Sequence, residues 1–317
     1  MAPVDVPIAA GLALGSVADA LLGDPRRGHP VAGFGRAAAA LERRTWRDHR
    51  AAGAAHVAVL TTATVALGTA LQRATSARPS ARTLVTAAAT WTVLGCTSLA
   101  STARRLGDAL AADDLPAARA VLPSLAGRDP SRLDAGELAR ATVESVAENT
   151  SDAAVAPLFW GAVAGVPGLL GYRAVNTLDA MVGHRSPRYA RFGWAAARLD
   201  DVANWVPARI TAALTVGCAP LVGGSATGAL RAWRRDGAAH PSPNAGRCEA
   251  ALAGALGLRL GGRNVYGARV EDRPVLGSGR PARPADVDRA LALSRAVWTT
   301  AALLAATARA ARGAGRT

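Results

Sequence analysis

Six apolar runs, at 6–22, 51–71, 84–103, 153–172, 202–224 and 291–308, recur along this chain, each near the length that crosses a bilayer. A span needs ~20 predominantly apolar residues, because hydrocarbon offers no water to satisfy an exposed backbone. The runs consist mainly of Ala, Leu and Val, and only 4% of the chain is aromatic, a composition that favours helix over strand. The expected fold is all-α: a polytopic membrane helical bundle, one integral membrane domain over residues 1–317, in a multi-pass protein of the cell membrane. Any single run would also suit a helix in a soluble core; the whole set argues against a soluble protein. The first run contains Asp19 and lacks a basic leader or a small-residue cleavage site, so it reads as a retained helix.

Two runs are irregular. Pro157, Gly161, Gly165, Pro167 and Gly168 interrupt 153–172, while Pro207, Arg209, Pro220 and the glycines of "LVGG" interrupt 202–224. Broken or re-entrant helices of this kind are tolerated where they face protein or a water-filled cavity. The longest polar stretch, 225–288, is expected to be a loop region completing a cytoplasm-facing site. The excess of Arg in 24–50 over the turn at 72–82 places that loop in the cytoplasm, and alternation places "VESVAENTSD" (143–152) there too.

The formal charge is +14, and all 37 basic residues are Arg. Without lysine there is no Schiff base, no lysyl adenylate and no Walker lysine. Anions must therefore be held by Arg, backbone amides or a metal. The arginines are spread over every loop with few aromatics between them, so no nucleic-acid partner is expected. Cys96, Cys218 and Cys248 form neither a zinc spacing nor a disulfide framework.

Polar residues concentrate in four blocks. "DPRRGHPVAGFGR" offers Asp24 and His29 as ligands and Arg36 as an anion clamp, and equally suits an interfacial turn. In "VESVAENTSD", Glu144, Glu148 and Asp152 recur every four residues, spanning about 80° of one helix face. Such carboxylates repel unless a cation joins them: Mg²⁺ fits, and so does neutralisation by Arg140 or Arg173. In the stretch from Tyr172 to Arg209, Asn176 and Asp179 are three apart and Asp200 and Asn204 four apart, so each pair shares a helix face. Asp201 points elsewhere, toward an arginine. Arg185, Arg188, Arg191, Arg198 and Arg209 either neutralise these acids or help form a phosphate and metal site. In "HPSPNAGRCEAALAGALGLRLGGRNVYG", His240, Ser242 and Asn244 lie in a Pro-pinned loop before a helix, where backbone amides suit an anion; a polar hairpin on the membrane domain is the alternative.

These blocks, in this order and with "RPVLG" beyond them, resemble the adenosylcobinamide-phosphate synthase family of cobalamin biosynthesis, the CobD/CbiB type, from Leu21 to Gly277. Cys248 stands where the family pattern has proline, and His184 where tyrosine is common. The resemblance implies amide formation between a free propionate of adenosylcobyric acid and the amine of (R)-1-amino-2-propanol phosphate or a related amino alcohol, with ATP consumed. The implied partners are the corrinoid, the amino alcohol phosphate and membrane lipid, with docking of other corrinoid-pathway enzymes left open.

On that basis Glu144, Glu148, Asp152, Asp179 and Asp200 are the expected Mg²⁺ ligands and, with His240, the catalytic set. Asp24, His29, Arg36, Asn149, Asn176, Arg185, Arg188, Asn204, Arg209, Ser242 and Asn244 are the expected substrate and phosphate contacts. A carboxylate or His240 takes the proton of the attacking ammonium. Two alternatives stand beside this reading: an intramembrane transferase acting on a lipid diphosphate, and a non-enzymatic membrane sensor or partner protein.

Overall fold

The structure, a computed structural model, describes residues 5–25, 28–184, 186–266 and 269–314, with the backbone alone for 264–266, 269–271 and 313–314. In chain order the helices are α1 (Asp5–Leu22), α2 (Pro30–Thr45), α3 (Arg50–Ala74), α4 (Pro79–Val93), α5 (Cys96–Ala111), α6 (Leu115–Val121) and α7 (Ala135–Thr150). There follow α8 (Ala156–Ala164), α9 (Val166–Leu178), α10 (Trp194–Ala203), α11 (Trp205–Cys218), α12 (Ala226–Asp236) and α13 (Ala245–Leu256), then strands β1 (Leu258–Tyr266), β2 (Arg269–Leu276) and β3 (Arg280–Pro281), and α14 (Asp286–Ala314). Among the described residues, five helical stretches are long and apolar enough to cross a membrane: Asp5–Leu22, Arg50–Ala74, Pro79–Ala111, Trp205–Val222 and Asp286–Arg312. This is the architecture of a helical membrane protein.

The run at 153–172, expected as a span, is instead three pieces. A π-helical turn, Ser151–Val155, precedes α8, and Gly165 at φ 71° separates α8 from α9. Glycine alone adopts that backbone without strain. The break frees polar backbone groups, and distant side chains satisfy them. Gln72 Oε1 accepts from the Val166 amide (3.0 Å), while Arg309 and Arg312 donate to the carbonyls of Ala162 and Val163 at 3.1–3.3 Å. Arg309 also pairs with Asp5 at 2.8 Å.

The chain forms two compact units. The first comprises Met1–Gly95, Asp152–Asn204 and Ala301–Thr317. Within it α1 packs on α4 through Gly11 and Gly15 against Thr86 and Thr90, the small-residue spacing that lets membrane helices approach closely. A second core joins Ala38, Val57, Leu178, Val182, Phe192 and Ala196.

The second unit comprises Cys96–Ser151 and Trp205–Thr300. Its centre is α13, buried along almost its whole length because most of its residues are Ala, Gly and Leu. The region 225–288, expected as loop, thus carries two helices and a three-stranded sheet of order β2-β1-β3. β1 and β2 pair antiparallel, with a register shift between Leu260↔Leu276 and Gly262↔Arg273. Pro274 lies in the shifted segment and has no amide to give a ladder. Gly261 and Gly262, at φ 80° and 86°, absorb the distortion.

Candidate functional site

In the second unit the acids of α7 meet arginines from distant parts of the chain. A capping box of Asp134 and Glu137 starts the helix. Two turns on, Glu144 is buried with both oxygens engaged: Oε2 accepts from Arg128 Nη2, and Oε1 accepts from the Gly261 amide (2.7 Å) with Arg140 Nη1 at 3.6 Å. Arg140 donates to the carbonyls of Gly261 and, at 3.0 Å, Arg263. The bulge is therefore fastened to α7 through its backbone, which only a kink at Gly261 turns toward the helix.

Glu148, one turn further, stays open to solvent but is crowded by protein. Desolvation raises its carboxyl above the ordinary range, the charges of Arg273 and Arg128 pull it down, and Glu144 pushes it up again. Glu249 of α13 is fully buried, and desolvation, with the charges of Glu144 and Glu148, raises its carboxyl strongly. His240 sits beside it. Its Nδ1 accepts from the Ser242 amide (3.0 Å), and its Nε2 lies 3.3 Å from Arg273 Nη1 and 3.9 Å from Glu249 Oε1. With Nδ1 accepting, the neutral ring carries its hydrogen on Nε2.

In the first unit, α9 and α10 bring a second acid group together. Asp200 Oδ2 accepts from Asn204 Nδ2 (3.0 Å), and Asn176 Nδ2 lies 3.4 Å from Asp200 Oδ1. Tyr172 donates to Asn204 Oδ1 (2.9 Å), and its hydroxyl is 3.2 Å from the Asp152 carbonyl. Desolvation, then the charge of Asp179, push the Asp200 carboxyl up to about 7. Asp201 faces Arg198 at 3.6 Å.

Other expected site residues have more local roles. His29 caps α2 through the Val31 amide (3.1 Å) and lies 3.9 Å from Asp24. Arg36 is exposed, and Asn149 bonds back to Ser145 of its own helix (2.9 Å). Arg188 stacks on Trp46 and donates to Glu42 (3.0 Å). Arg209 stacks on Trp205 and donates toward Asn244 Oδ1 (3.4 Å), while Ser242 Oγ accepts from the Asn244 and Ala245 amides. Arg185 lies outside the described residues. The π turn ends the regular 100° step at Ser151, so Asp152 does not continue the arc of Glu144 and Glu148.

Among the described residues no group of three His, Cys, Asp or Glu is arranged to hold a metal ion. Glu144 does not fit a metal, since arginines and an amide occupy its oxygens. Asp200 does not fit a metal as it stands either, since its oxygens accept from the Asn204 and Asn176 side-chain amides, although the charge of Asp179 acts on it. Sequence reasoning missed Arg128, Arg273 and Glu249. A signal for the last was present: a lone acid in "CEAALAGALG" is costly to bury unless partnered.

The CobD/Cbib protein family model matches residues 12–294. The chain is 60% identical over 297 residues, 94% of each chain, to the cobalamin biosynthesis protein CobD of Mycobacterium tuberculosis. It is 46% identical over 274 residues to the protein of that name from Geobacter metallireducens, covering 84% of this chain and 85% of the relative. To that of Chromobacterium violaceum it is 43% identical over 301 residues, 92% of this chain and 93% of the relative. No solved structure matches.

Proposed function

The chain belongs to the CobD/CbiB family, and from that membership we propose that it acts in cobalamin biosynthesis as a membrane-embedded adenosylcobinamide-phosphate synthase. It joins a propionate of adenosylcobyric acid to the amine of (R)-1-amino-2-propanol phosphate, or a related amino alcohol, at the expense of ATP.

Condensing a carboxylate with an ammonium is uphill in water, so the carboxylate is activated first. The terminal phosphoryl group of ATP passes to the propionate oxygen and ADP leaves. The amine then attacks the acyl carbon, the C–N bond forms, phosphate departs with the C–O electron pair, and the ammonium proton passes to a base. Glu148 is that base, and it is the observation that carries the proposal: a solvent-open carboxylate with a raised affinity for protons, set among arginines suited to anionic reactants. His240 is not the base, because its acceptor nitrogen is occupied by the Ser242 amide. It lies beside Glu249 and Arg273 instead. Mg²⁺ would come with ATP as its counterion and would supply neutralisation of phosphate charge.

The test is a membrane-fraction assay with adenosylcobyric acid, aminopropanol phosphate, ATP and Mg²⁺, following the amide by mass. Product dependent on nucleotide is expected; product formed without it overturns the activation scheme.

A further inference from the structure

Helix α11 packs on α13, and Arg209 of α11 reaches Asn244 Oδ1 (3.4 Å), three residues before Arg247 of α13, so the charge of one guanidinium acts on the other. Two guanidinium groups side by side repel, and proteins normally place a carboxylate between them. None pairs with either group among the described residues: Arg209 meets only the Trp205 ring, the Trp205 carbonyl (2.6 Å) and the Asn244 amide oxygen (3.4 Å). The Arg247 Nε is sealed from solvent without any acceptor, and the stem of that side chain packs 3.1 Å from the position a Cβ on Gly237 would take. Both side chains are thus held in place while their charges go unanswered. An N–H donor shut away without an acceptor carries a cost, and Arg247 as a whole is only partly buried, so an anion would meet the open side of its fork.

The surroundings fit the same ligand. Asn244 is the residue before α13, where an amide side chain usually caps the helix, yet it makes no such cap and turns to Arg209 instead. Ser242 Oγ, held by the turn that His240 pins, accepts from the Asn244 and Ala245 amides.

We infer that Arg209 and Arg247 form a subsite for the phosphate of a phosphomonoester or phosphodiester. The planar forks of two arginines match the oxygens of that anion. For the identity of the bearer the inference rests on the proposed reaction, where the phosphorylated amino alcohol supplies such a group. Trp205 and Arg209 also begin a candidate membrane span, so a lipid headgroup phosphate is the other source of the same chemistry.

The full chain in maltoside detergent, which contains no phosphate, is titrated calorimetrically with inorganic phosphate and with O-phosphoethanolamine. Phospholipid that copurifies is counted by mass spectrometry. Arg209→Gln and Arg247→Gln are compared with wild type and with Arg234→Gln, which removes one exposed charge elsewhere in the same unit. Arg247→Lys, which keeps the charge, guards against a fold defect, and size exclusion checks that every variant is monodisperse.

Phosphate affinity lower by about tenfold or more in both subsite variants, unchanged in Arg234→Gln and partly restored by Lys, supports a soluble phosphomonoester. Loss of retained phospholipid in the same two variants supports the subsite with a headgroup as its occupant. Equal behaviour of all three Gln variants in both measurements overturns it. Amide formed by the wild type while both subsite variants bind phosphate normally sinks the subsite and leaves the proposed reaction standing. Phosphate binding that depends on both arginines in a chain that makes no amide does the reverse.

Discussion

At the scale of single residues, Glu144 and Glu148 show how one helix turn separates two roles. Glu144 is spent on structure: Arg128, Arg140 and the Gly261 amide converge on it, away from water. Glu144→Gln removes the carboxylate that Arg128 and Arg140 share, and removing one partner of a buried pair costs about 3–5 kcal/mol. Thermal unfolding in detergent is expected to show a clear drop, and an unchanged midpoint would contradict the buried pairing. Glu148 is the proposed base. Glu148→Gln is expected to lower turnover by about 100-fold or more with membrane insertion intact. The same carboxyl sets a pH dependence. As a base it works only when deprotonated, and its folded-state pKa is raised by desolvation, so kcat/KM rises with pH along a limb displaced above the ordinary carboxylate range. A limb at the usual carboxylate position, or one that persists in Glu148→Gln, would remove Glu148 from the role.

At the scale of elements, the spans were legible because length and hydropathy are local properties: five of the six apolar runs correspond to helices able to cross a membrane. The sixth announced its breaks through Pro157, Gly165 and Pro167, but not their form. The π turn at Ser151–Val155 leaves no compositional mark, and Gln72, Arg309 and Arg312, which satisfy the broken ends, are far away in sequence. The site divides in the same way. Asn176, Asp179, Asp200 and Asn204 were readable from spacing, because each pair belongs to one helical stretch, and the structure gathers them around Asp200. The partners of Glu144 were not, since Gly261 comes from a hairpin 117 residues on. That hairpin gives the element-scale prediction. A Cβ on Gly261 would run into the Pro274 carbonyl at a backbone angle that L-residues avoid. Gly261→Ala is expected to cost at least ~1–2 kcal/mol and to loosen the bulge from α7. Hydrogen exchange of the Gly262 and Arg263 amides reports it; protection equal to wild type would show that the glycine is dispensable.

At the scale of the whole molecule, two physical effects could hold this chain at a membrane. A formal charge of +14, carried entirely by arginine, would bind anionic lipid without any insertion. Five helices of spanning length would hold it by burying apolar surface instead. An alkaline wash alone does not separate the two, since guanidinium groups stay protonated where lysines would lose their charge. Salt does separate them, because at 1 M the screening length falls to about 3 Å and attachment through surface charge fails. Membranes washed in 1 M NaCl and then in alkaline carbonate are expected to retain the chain in the pellet, with release only by detergent. Retention follows because helical spans keep most backbone hydrogen bonds internal and expose side chains such as Leu14, Val59, Leu67, Leu84, Leu303 and Leu304 that water would have to accommodate. Release by salt would mean that arginines, not spans, hold the protein, and the broken helix at Gly165 would then belong to a soluble core rather than to a membrane-embedded enzyme.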